Sequence, residues 1–237
     1  PTIQLLLEKQ VKREKYKARA LVVAPTRELA IQIDQSFAAY GRGAGLKRAC
    51  VYGGVGKMPQ VKAMERGVDV LVATPGRLLD LRQEGYIDLS AVEIAILDEA
   101  DRMLDMGFIN DVRKIMALLP KKRQTALFSA TMPREIEDLG RTFLENPVRV
   151  AIEPDKPAVE LIDQKLYYVE KGDKRSLLSH LIKELGVARA VVFSRTKHGA
   201  DRIARGLHQD GIPAGVIHAN KGQGNRTKTM EAFRAGN

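Results

Sequence analysis

The sequence predicts an α/β protein built on a parallel β-sheet that is covered by helices. Short apolar, β-branched segments alternate with longer amphipathic segments along the 237 residues. Buried strands separated by helices are typical of a parallel sheet, because each crossover places a helix on one face. Hydrophobic residues make up 44% of the chain, which is enough for a packed core.

Six strands are predicted in the first part of the chain, with helical spacing between most of them. The strand segments are 19–25, 48–54, 68–74, 93–99, 124–130 and 148–152. The opening residues, PTIQLLLEKQVKREK, predict a helix that is already under way at the first residue.

A Pro-bearing stretch, EPDKPAVE, interrupts this alternation and predicts two domains. We predict a first domain over 1–153, a linker over 154–161 and a second domain over 162–237. The second domain contains three strand segments, in DQKLYYVE, RAVVFSR and PAGVIHA. A sheet this small would be poorly covered, so the second domain is expected to be incomplete.

Composition limits the classes of partner. A formal net charge of +10 favours a polyanion, and 5% aromatic residues with no Trp argue against base stacking as the main binding mode. A single cysteine, Cys50, cannot form an internal disulfide, which suits a reducing cytoplasm. No apolar stretch approaches the roughly 20 residues that span a bilayer, and the start lacks the pattern of a secretory signal.

Polar motifs follow the predicted strands, where the loops of a parallel sheet meet at one edge and bind ligands. They are APTRELA, ATPGR, DEAD and SAT. Four such motifs on one edge are far more specific than any single one.

The DEAD motif places three carboxylates, Asp98, Glu99 and Asp101, directly after the apolar run IAIL. Asp98 is well placed to hold a hydrated magnesium ion on nucleotide phosphates, and Glu99 to orient or deprotonate the attacking water. An alternative is an acidic first helical turn that complements the helix dipole. The other motifs on the edge favour the metal.

Two motifs pair a helix start with an arginine, Thr26 with Arg27 and Thr74-Pro75 with Arg77. Free N–H groups at a helix start bind phosphate, and the arginines add charged donors. Plain capping with solvated arginines is the alternative for either motif alone. The pair Gly53-Gly54 allows close backbone approach or a simple turn.

The hydroxyls of Ser129 and Thr131 either link nucleotide state to domain position or cap the helix that begins at Pro133. In the second domain, Ser194, Arg195, Thr196 and Lys197 follow a strand and resemble the first phosphate-binding motifs. One helical turn separates Gln223 from Arg226, so they present one polar face. His218 lacks metal-ligand spacing with another His or Cys50.

Together these motifs resemble the DEAD-box family of ATP-dependent RNA helicases. APTRELA, Gly53-Gly54, TPGR, DEAD and SAT come in the order and spacing of that family, and VVFSRTK with Gln223 and Arg226 continues the match. HANKGQGNRTKTMEAFRAGN is similar to the bacterial RhlE-type branch, with Ala219 where the family usually has Gly.

The resemblance implies two RecA-like domains, the second incomplete here, that clamp RNA and ATP and separate short duplexes by bending one strand. It implies that Asp98 holds magnesium through water, that Glu99 is the catalytic base, and that Asp101, Ser129 and Thr131 couple hydrolysis to RNA. The implied contacts to the RNA backbone are Pro25, Thr26, Arg27, Gly53, Gly54, Thr74, Pro75, Gly76, Arg77, Ser194, Arg195, Thr196, Gln223 and Arg226.

The sequence also departs from the family. No G-x-x-x-x-G-K-[ST] phosphate loop occurs in it, and GGVGKM at 53–58 has the wrong spacing, with Met58 in place of the hydroxyl. The arginine fingers of the family, worth roughly a thousandfold or more in rate, would come after residue 237. We therefore expect a partial sequence that hydrolyses ATP negligibly as written, from a parent that is an RNA-stimulated ATPase.

Two alternatives remain open: a naturally short, ATP-independent RNA-binding protein, and a related helicase that acts on DNA, because contacts to phosphate do not report the sugar. The preferred hypothesis predicts ATP and magnesium as cofactors and mainly single-stranded RNA as partner. It also predicts a cytoplasmic monomer with no membrane association, and the family adds ribosomal or RNA-decay assemblies as partners.

Overall fold

The computed structural model describes residues 1–9, 11–152 and 162–236. The chain divides into two compact units, Pro1–Arg149 and Val150–Asn237. The predicted domain boundary at 153 and the predicted linker over 154–161 lie outside the described residues, so both stay predictions. None of the helices in the described ranges is long and apolar enough to cross a bilayer.

The first unit contains a five-stranded parallel sheet, which confirms the predicted fold class. The strands are β1 (Ala18–Val23), β2 (Arg48–Val51), β3 (Val68–Ala73), β4 (Ile94–Leu97) and β5 (Gln124–Leu127). Their spatial order is β2-β3-β1-β4-β5, so β1 lies at the centre. Strands β2 to β5 each lie within a segment that the sequence predicts as a strand, and β1 begins one residue before the predicted segment 19–25.

Seven helices accompany this sheet. They are α1 (Thr2–Glu8), α2 (Arg27–Tyr40), α3 (Met58–Met64), α4 (Pro75–Gln83), α5 (Ala100–Asp105), α6 (Ile109–Ala117) and α7 (Arg134–Phe143). The helix predicted at the start of the chain is present as α1, but it ends at Glu8, well before the end of the predicted segment.

Both faces of the sheet are buried, as a parallel sheet requires. On one face Leu21 and Val23 of β1 join a large core with Leu71 of β3. On the other face Ala20 and Val22 pack in a smaller core that includes Leu6 of α1. Alternate residues of β1 serve opposite faces, because successive side chains of a strand point to opposite sides.

The sixth predicted strand of the first domain, VRVAI at 148–152, is wrong. It forms no ladder with another described segment, and Val148, Val150 and Ile152 are 90%, 82% and 93% exposed. The β-branched composition fits a half-buried pleated surface, but a strand needs a neighbouring backbone with which to pair. Composition alone cannot supply that neighbour.

The second unit contains three helices, α8 (Lys174–Glu184), α9 (Lys197–Gln209) and α10 (Gln223–Ala235). Ser179 of α8 donates a hydrogen bond of 2.6 Å to Asp210, the residue that follows the end of α9. The three strands predicted in this unit do not form a ladder among residues 162–236, and Tyr168 and Phe193 are more than nine-tenths exposed. As with 148–152, extended propensity without a paired neighbour does not make a sheet.

Candidate active site at the carboxyl edge of the sheet

The loops that follow the five strands meet at one edge, and backbone hydrogen bonds extend the sheet into them. Ala24 donates to Ala73 (2.9 Å), Asp98 donates to Val23 (3.0 Å) and Phe128 donates to Leu97 (2.8 Å). The strand order places the loops after β2, β3 and β1 side by side, and those after β4 and β5 beside them. The edge therefore has an arginine-bearing half and an acidic half.

Asp101 connects the acidic motif to the loop after β5. Its carboxylate Oδ2 accepts hydrogen bonds from the Thr131 hydroxyl (2.7 Å) and the Thr131 N–H (2.8 Å). The Asp101 N–H donates to the Ser129 hydroxyl (3.1 Å). The alternative that these hydroxyls cap α7 is wrong, because Pro133 occupies the cap position and no side chain caps that helix.

These contacts keep Asp101 ionised. Partial burial on its own would raise the pKa of Asp101, but the hydrogen bonds from Thr131, followed by those from Ser129 and Arg102, outweigh it and lower the pKa. Both carboxylate oxygens are engaged, since Oδ1 accepts from the Arg102 N–H at 3.0 Å. Asp101 is therefore committed to protein contacts and is a poor candidate for a metal ligand.

Asp98 and Glu99 occupy the turn between β4 and α5. Glu99 has φ 49° and ψ 54°, a left-handed conformation that is uncommon for a residue other than Gly, Asn or Asp. This turn leaves Glu99 exposed, while its N–H donates to Asp98 Oδ1 (3.0 Å). Only Asp101 lies in the first turn of α5, so the helix dipole explains one of the three carboxylates.

The acidic half fits a magnesium ion held through a nucleotide and does not form a metal cage. No group of three or more His, Cys, Asp or Glu side chains within the described residues could hold a metal. Magnesium keeps several waters and usually takes one or two carboxylates together with substrate phosphates. Asp98 can provide one carboxylate, since only its Oδ1 is engaged by the part of the chain that is described.

In the arginine-bearing half, two arginines converge on the loop after β2. A Cβ built on Gly54, which has φ +79°, would collide with the guanidinium group of Arg27. Arg77 Nη2 donates to the Val55 carbonyl at 3.1 Å. The Arg27 side chain therefore lies close against Gly54, and both arginines lie beside one loop.

Sequence reasoning missed Gln60, which fixes this loop. Its side chain accepts from the Tyr52 N–H (3.1 Å) and donates to the Tyr52 carbonyl (3.0 Å), and only 7% of Gln60 is exposed. A polar residue at an inward position of α3 was the available signal. The contact became visible only once α3 was placed against β2.

The two predicted helix starts differ in their caps. The Thr26 hydroxyl accepts from the Leu29 N–H at 3.2 Å and caps α2. Thr74 occupies the N-cap position of α4, as predicted, but its side chain makes no capping hydrogen bond. Pro75 begins α4 as predicted, and the space around the Cα of the next residue, Gly76, is open.

Pro25, which precedes α2, is buried. The guanidinium of Arg77 has only part of its hydrogen-bonding capacity in use. Its Nη1 is buried and has no hydrogen-bond partner within the described residues. The alternative of solvated arginines therefore does not describe Arg77.

The second unit brings its two predicted motifs together. Thr196 caps α9 by accepting from the Gly199 N–H (3.0 Å), and the Ser194 hydroxyl donates to the Thr196 carbonyl (3.2 Å). Lys197 donates to Asn220 at 3.2 Å, which ties this loop to the segment before α10. Arg195, between the two hydroxyl residues, is exposed.

The segment before α10 is held by contacts that sequence reasoning missed. Asp201 of α9 lies 3.0 Å from His218 and 2.9 Å from Lys221. Arg226 donates to the His218 carbonyl at 3.5 Å, and Gln223 at the start of α10 is 6% exposed. The residues 194–196, 223 and 226 thus belong to one connected region of the second unit.

The Asp101–Thr131 contact should have a pH-dependent effect on stability. We expect Thr131→Val to lower the free energy of unfolding by about 1 kcal/mol at pH 7, because it removes a hydrogen bond to a charged, partly exposed group. Since the pKa of Asp101 is lowered in the folded state, this stabilisation is present above about pH 4 and is lost as pH falls through the folded pKa.

Urea unfolding of the wild type and Thr131→Val from pH 7 to pH 2.5 measures this, with Thr142→Val of α7 as the control. An effect of Thr131→Val that is independent of pH would contradict the contact.

Substitution of Gly54 should disturb Arg27. We expect Gly54→Ala to destabilise the protein by about 1–2 kcal/mol, from its left-handed backbone conformation and the collision with the guanidinium. Gly56→Ala is the matched control, because its Cβ would meet open space and its φ lies outside the left-handed range. Equal unfolding midpoints for the two variants in urea would contradict the close approach.

Comparison with known proteins identifies the family. Residues 2–139 match the DEAD/DEAH box helicase family. The chain is 44% identical over 229 residues to "ATP-dependent RNA helicase RhlB" of Pseudomonas putida, covering 94% of this chain and 58% of the relative. It is 43% identical over 218 residues to "DEAD-box ATP-dependent RNA helicase 30" of Oryza sativa subsp. japonica, covering 91% of this chain and 33% of the relative.

The crystal structure of a DEAD box protein from the hyperthermophile Methanococcus jannaschii superposes with a TM-score of 0.58. That protein is 34% identical to this chain, and the match covers 97% of this chain and 61% of the other. The chain thus spans a third to about three-fifths of these relatives. On these matches and the geometry of the edge, the chain belongs to the DEAD/DEAH box helicase family.

Proposed function

We propose that the intact protein is an ATP-dependent RNA helicase that grips single-stranded RNA by its backbone and couples ATP hydrolysis to local duplex unwinding. One observation carries the proposal: a single sheet edge holds the carboxylate cluster, tied to the loop after β5, beside two arginines on the loop after β2. The carboxylates of the acidic half suit a nucleotide with its metal ion, and the arginines of the other half suit a sugar-phosphate chain.

The acidic half would handle the nucleotide. Asp98 would hold a magnesium ion, mostly through water, and the ion when bound would neutralise charge on the phosphates. Glu99 would orient and deprotonate the water that attacks the terminal phosphate. Its exposed, left-handed position supports this role, because strained residues cluster at functional sites.

Asp101 would transmit the state of the nucleotide. It lies two residues after Glu99 and bonds directly to Thr131 and Ser129. A shift of the turn that carries Glu99 would therefore be passed to the loop after β5. That rigid contact is the physical basis for coupling hydrolysis to RNA in this proposal.

The arginine-bearing half would contact the RNA backbone. The helix starts at Thr26 and Thr74 offer N–H groups to phosphates, and Arg27 and Arg77 offer charged donors. The second unit would add its own connected region. The proposed RNA contacts in the second unit are Ser194, Arg195, Thr196, Gln223 and Arg226. The further proposed RNA contacts in the first unit are Pro25, Gly53, Gly54, Pro75 and Gly76.

The finer assignments belong to the same proposal. We infer a bacterial protein of the RhlE-type branch from HANKGQGNRTKTMEAFRAGN, although the matched relatives include plant, yeast and other bacterial helicases. We also infer a cytoplasmic monomer that acts in RNA-decay or ribosomal assemblies. The 237 residues alone, without a phosphate-loop motif, would hydrolyse ATP negligibly.

Nucleic-acid preference tests the binding half of the proposal on this chain. We expect single-stranded RNA to bind about tenfold more tightly than DNA of the same sequence, because contacts to the sugar can use the 2′-hydroxyl. Arg27→Gln should weaken RNA binding about tenfold, and Arg113→Gln on the exposed face of α6 should not. Fluorescence anisotropy at fixed salt measures both, and equal affinity for RNA and DNA would count against an RNA helicase.

Glu99→Gln tests the catalytic half in the intact protein. The amide cannot accept a proton from water, so we expect RNA-stimulated ATP hydrolysis to fall at least a hundredfold while ATP binding persists. Glu65→Gln, at the end of α3, is the matched control with the same change in charge. Phosphate release and nucleotide binding are the measurements. If Glu99→Gln still hydrolyses ATP at the wild-type rate, Glu99 is not the catalytic base.

A further inference from the structure

The opposite edge of the sheet, where the strands begin, is strongly basic. Six exposed cations precede the first residues of four strands, in the loops that enter β1, β2, β3 and β5. We call them the amino-edge basic surface: Lys12, Lys15, Lys47, Arg66, Lys121 and Lys122.

Backbone hydrogen bonds hold these loops side by side. Tyr16, next to Lys15, donates to Met64 at the end of α3 (2.9 Å), and Asp69 at the start of β3 donates to the Lys47 carbonyl (2.7 Å). A Cβ on Gly67 would collide with the backbone of Glu14, so the loops before β1 and β3 are in contact. Five strands at 4.8 Å spacing make this edge roughly 19 Å wide.

The acids of this edge are largely neutralised by other cations. Glu14 pairs with Lys17 (2.7 Å). Buried Asp69 pairs with Arg13 (2.9 Å), and Glu93 is held by Arg19 (2.8 Å).

None of the six surface cations forms an ion pair within the described ranges. The acid nearest in sequence to Arg66 is Glu65, which is exposed. The surface therefore keeps most of its positive charge for an external partner.

Helix dipoles do not account for these cations. Helices that run back along a parallel sheet end at this edge, and a cation in the last turn is favoured there. The effect fades beyond that turn, whereas Lys121 and Lys122 lie four and five residues after the end of α6 at Ala117. Lys12 and Lys47 likewise lie beyond α1 and α2, which end at Glu8 and Tyr40.

We propose that the amino-edge basic surface is a second contact site for RNA, which binds the phosphate backbone without regard to sequence. Charge spread over roughly 19 Å suits an extended polyanion better than a small phosphorylated ligand. It lies a full strand length, roughly 20 Å for six residues, from the arginines of the carboxyl edge. It therefore binds phosphates other than those at the proposed active site, and goes beyond the proposed function.

Charge removal tests this site in the full chain. The surface variant combines Lys12→Gln, Lys15→Gln, Lys121→Gln and Lys122→Gln. With a labelled 20-nucleotide polyuridylate as probe, we expect about tenfold weaker binding at 100 mM salt. The dependence of log K on log salt should become shallower by up to roughly 3, since each lost phosphate contact removes about 0.7 for a single strand.

The matched control variant combines Arg113→Gln, Lys174→Gln, Lys183→Gln and Arg205→Gln, which removes the same number of positive charges from exposed helix positions. We expect it to bind nearly as the wild type does, and replacement of the four surface lysines by Arg to retain binding. Thermal melting establishes that each variant is folded.

Equal losses in the surface and control variants would overturn the proposal, because net charge alone would then explain binding. Unchanged binding of the surface variant would overturn it too, without touching the proposed function, since Arg27 and Arg77 remain intact. If the surface variant binds vesicles with 30% phosphatidylserine more weakly than the wild type does, but binds polyuridylate equally well, the surface binds a membrane and the RNA site is rejected.

Discussion

The parallel ladder of β1 with β3 and β4 is the constraint on which the candidate site depends. Val23 pairs with Ala73 on one side and with Leu97 on the other, so three strands end at the same level. The residues that follow them, from three distant parts of the sequence, therefore emerge together. A slip of this register by one residue would turn the core side chains of β1 to the wrong faces, so burial on both faces fixes the edge.

Three neighbouring carboxylates are tolerated at this edge because they do different things. Hydrogen bonds from Thr131, Ser129 and Arg102 lower the pKa of Asp101. Glu99 is exposed on a turn with a left-handed backbone, and Asp98 accepts a hydrogen bond from the Glu99 N–H through Oδ1. Like charges so close would otherwise disturb each other's ionisation. Because the three carboxylates differ in their contacts and exposure, their mutual repulsion is tolerated at this edge.

The two edges of the sheet differ in how they use charge. At the amino edge, buried Arg19 satisfies Glu93 and the Leu6 carbonyl, and Asp69 is bonded by Arg13 and the Lys47 N–H. These are structural contacts that fasten loops, since a buried charge must be paired. At the carboxyl edge the arginines are held against a glycine-rich loop instead. That arrangement positions both arginines beside the loop after β2.

The sequence by itself determined the parallel α/β fold, the five strands of the first unit and the motifs at their ends. Apolar runs and turn residues are local signals, and each carries its own physical reason. The sequence could not determine whether 148–152 or the segments around Tyr168 and Phe193 would pair, because a strand exists only with a neighbour. It also left open whether Ser129 and Thr131 cap the helix that begins at Pro133.

Only the tertiary structure decided these contacts. Asp101 meets Thr131 across thirty residues, Arg27 meets Gly54, and Gln60 meets Tyr52, each through the placement of one element on another. The amino-edge basic surface likewise appears only when four separate loops are brought to one edge. Such contacts depend on distances in space, which residue types and their spacing along the chain do not encode.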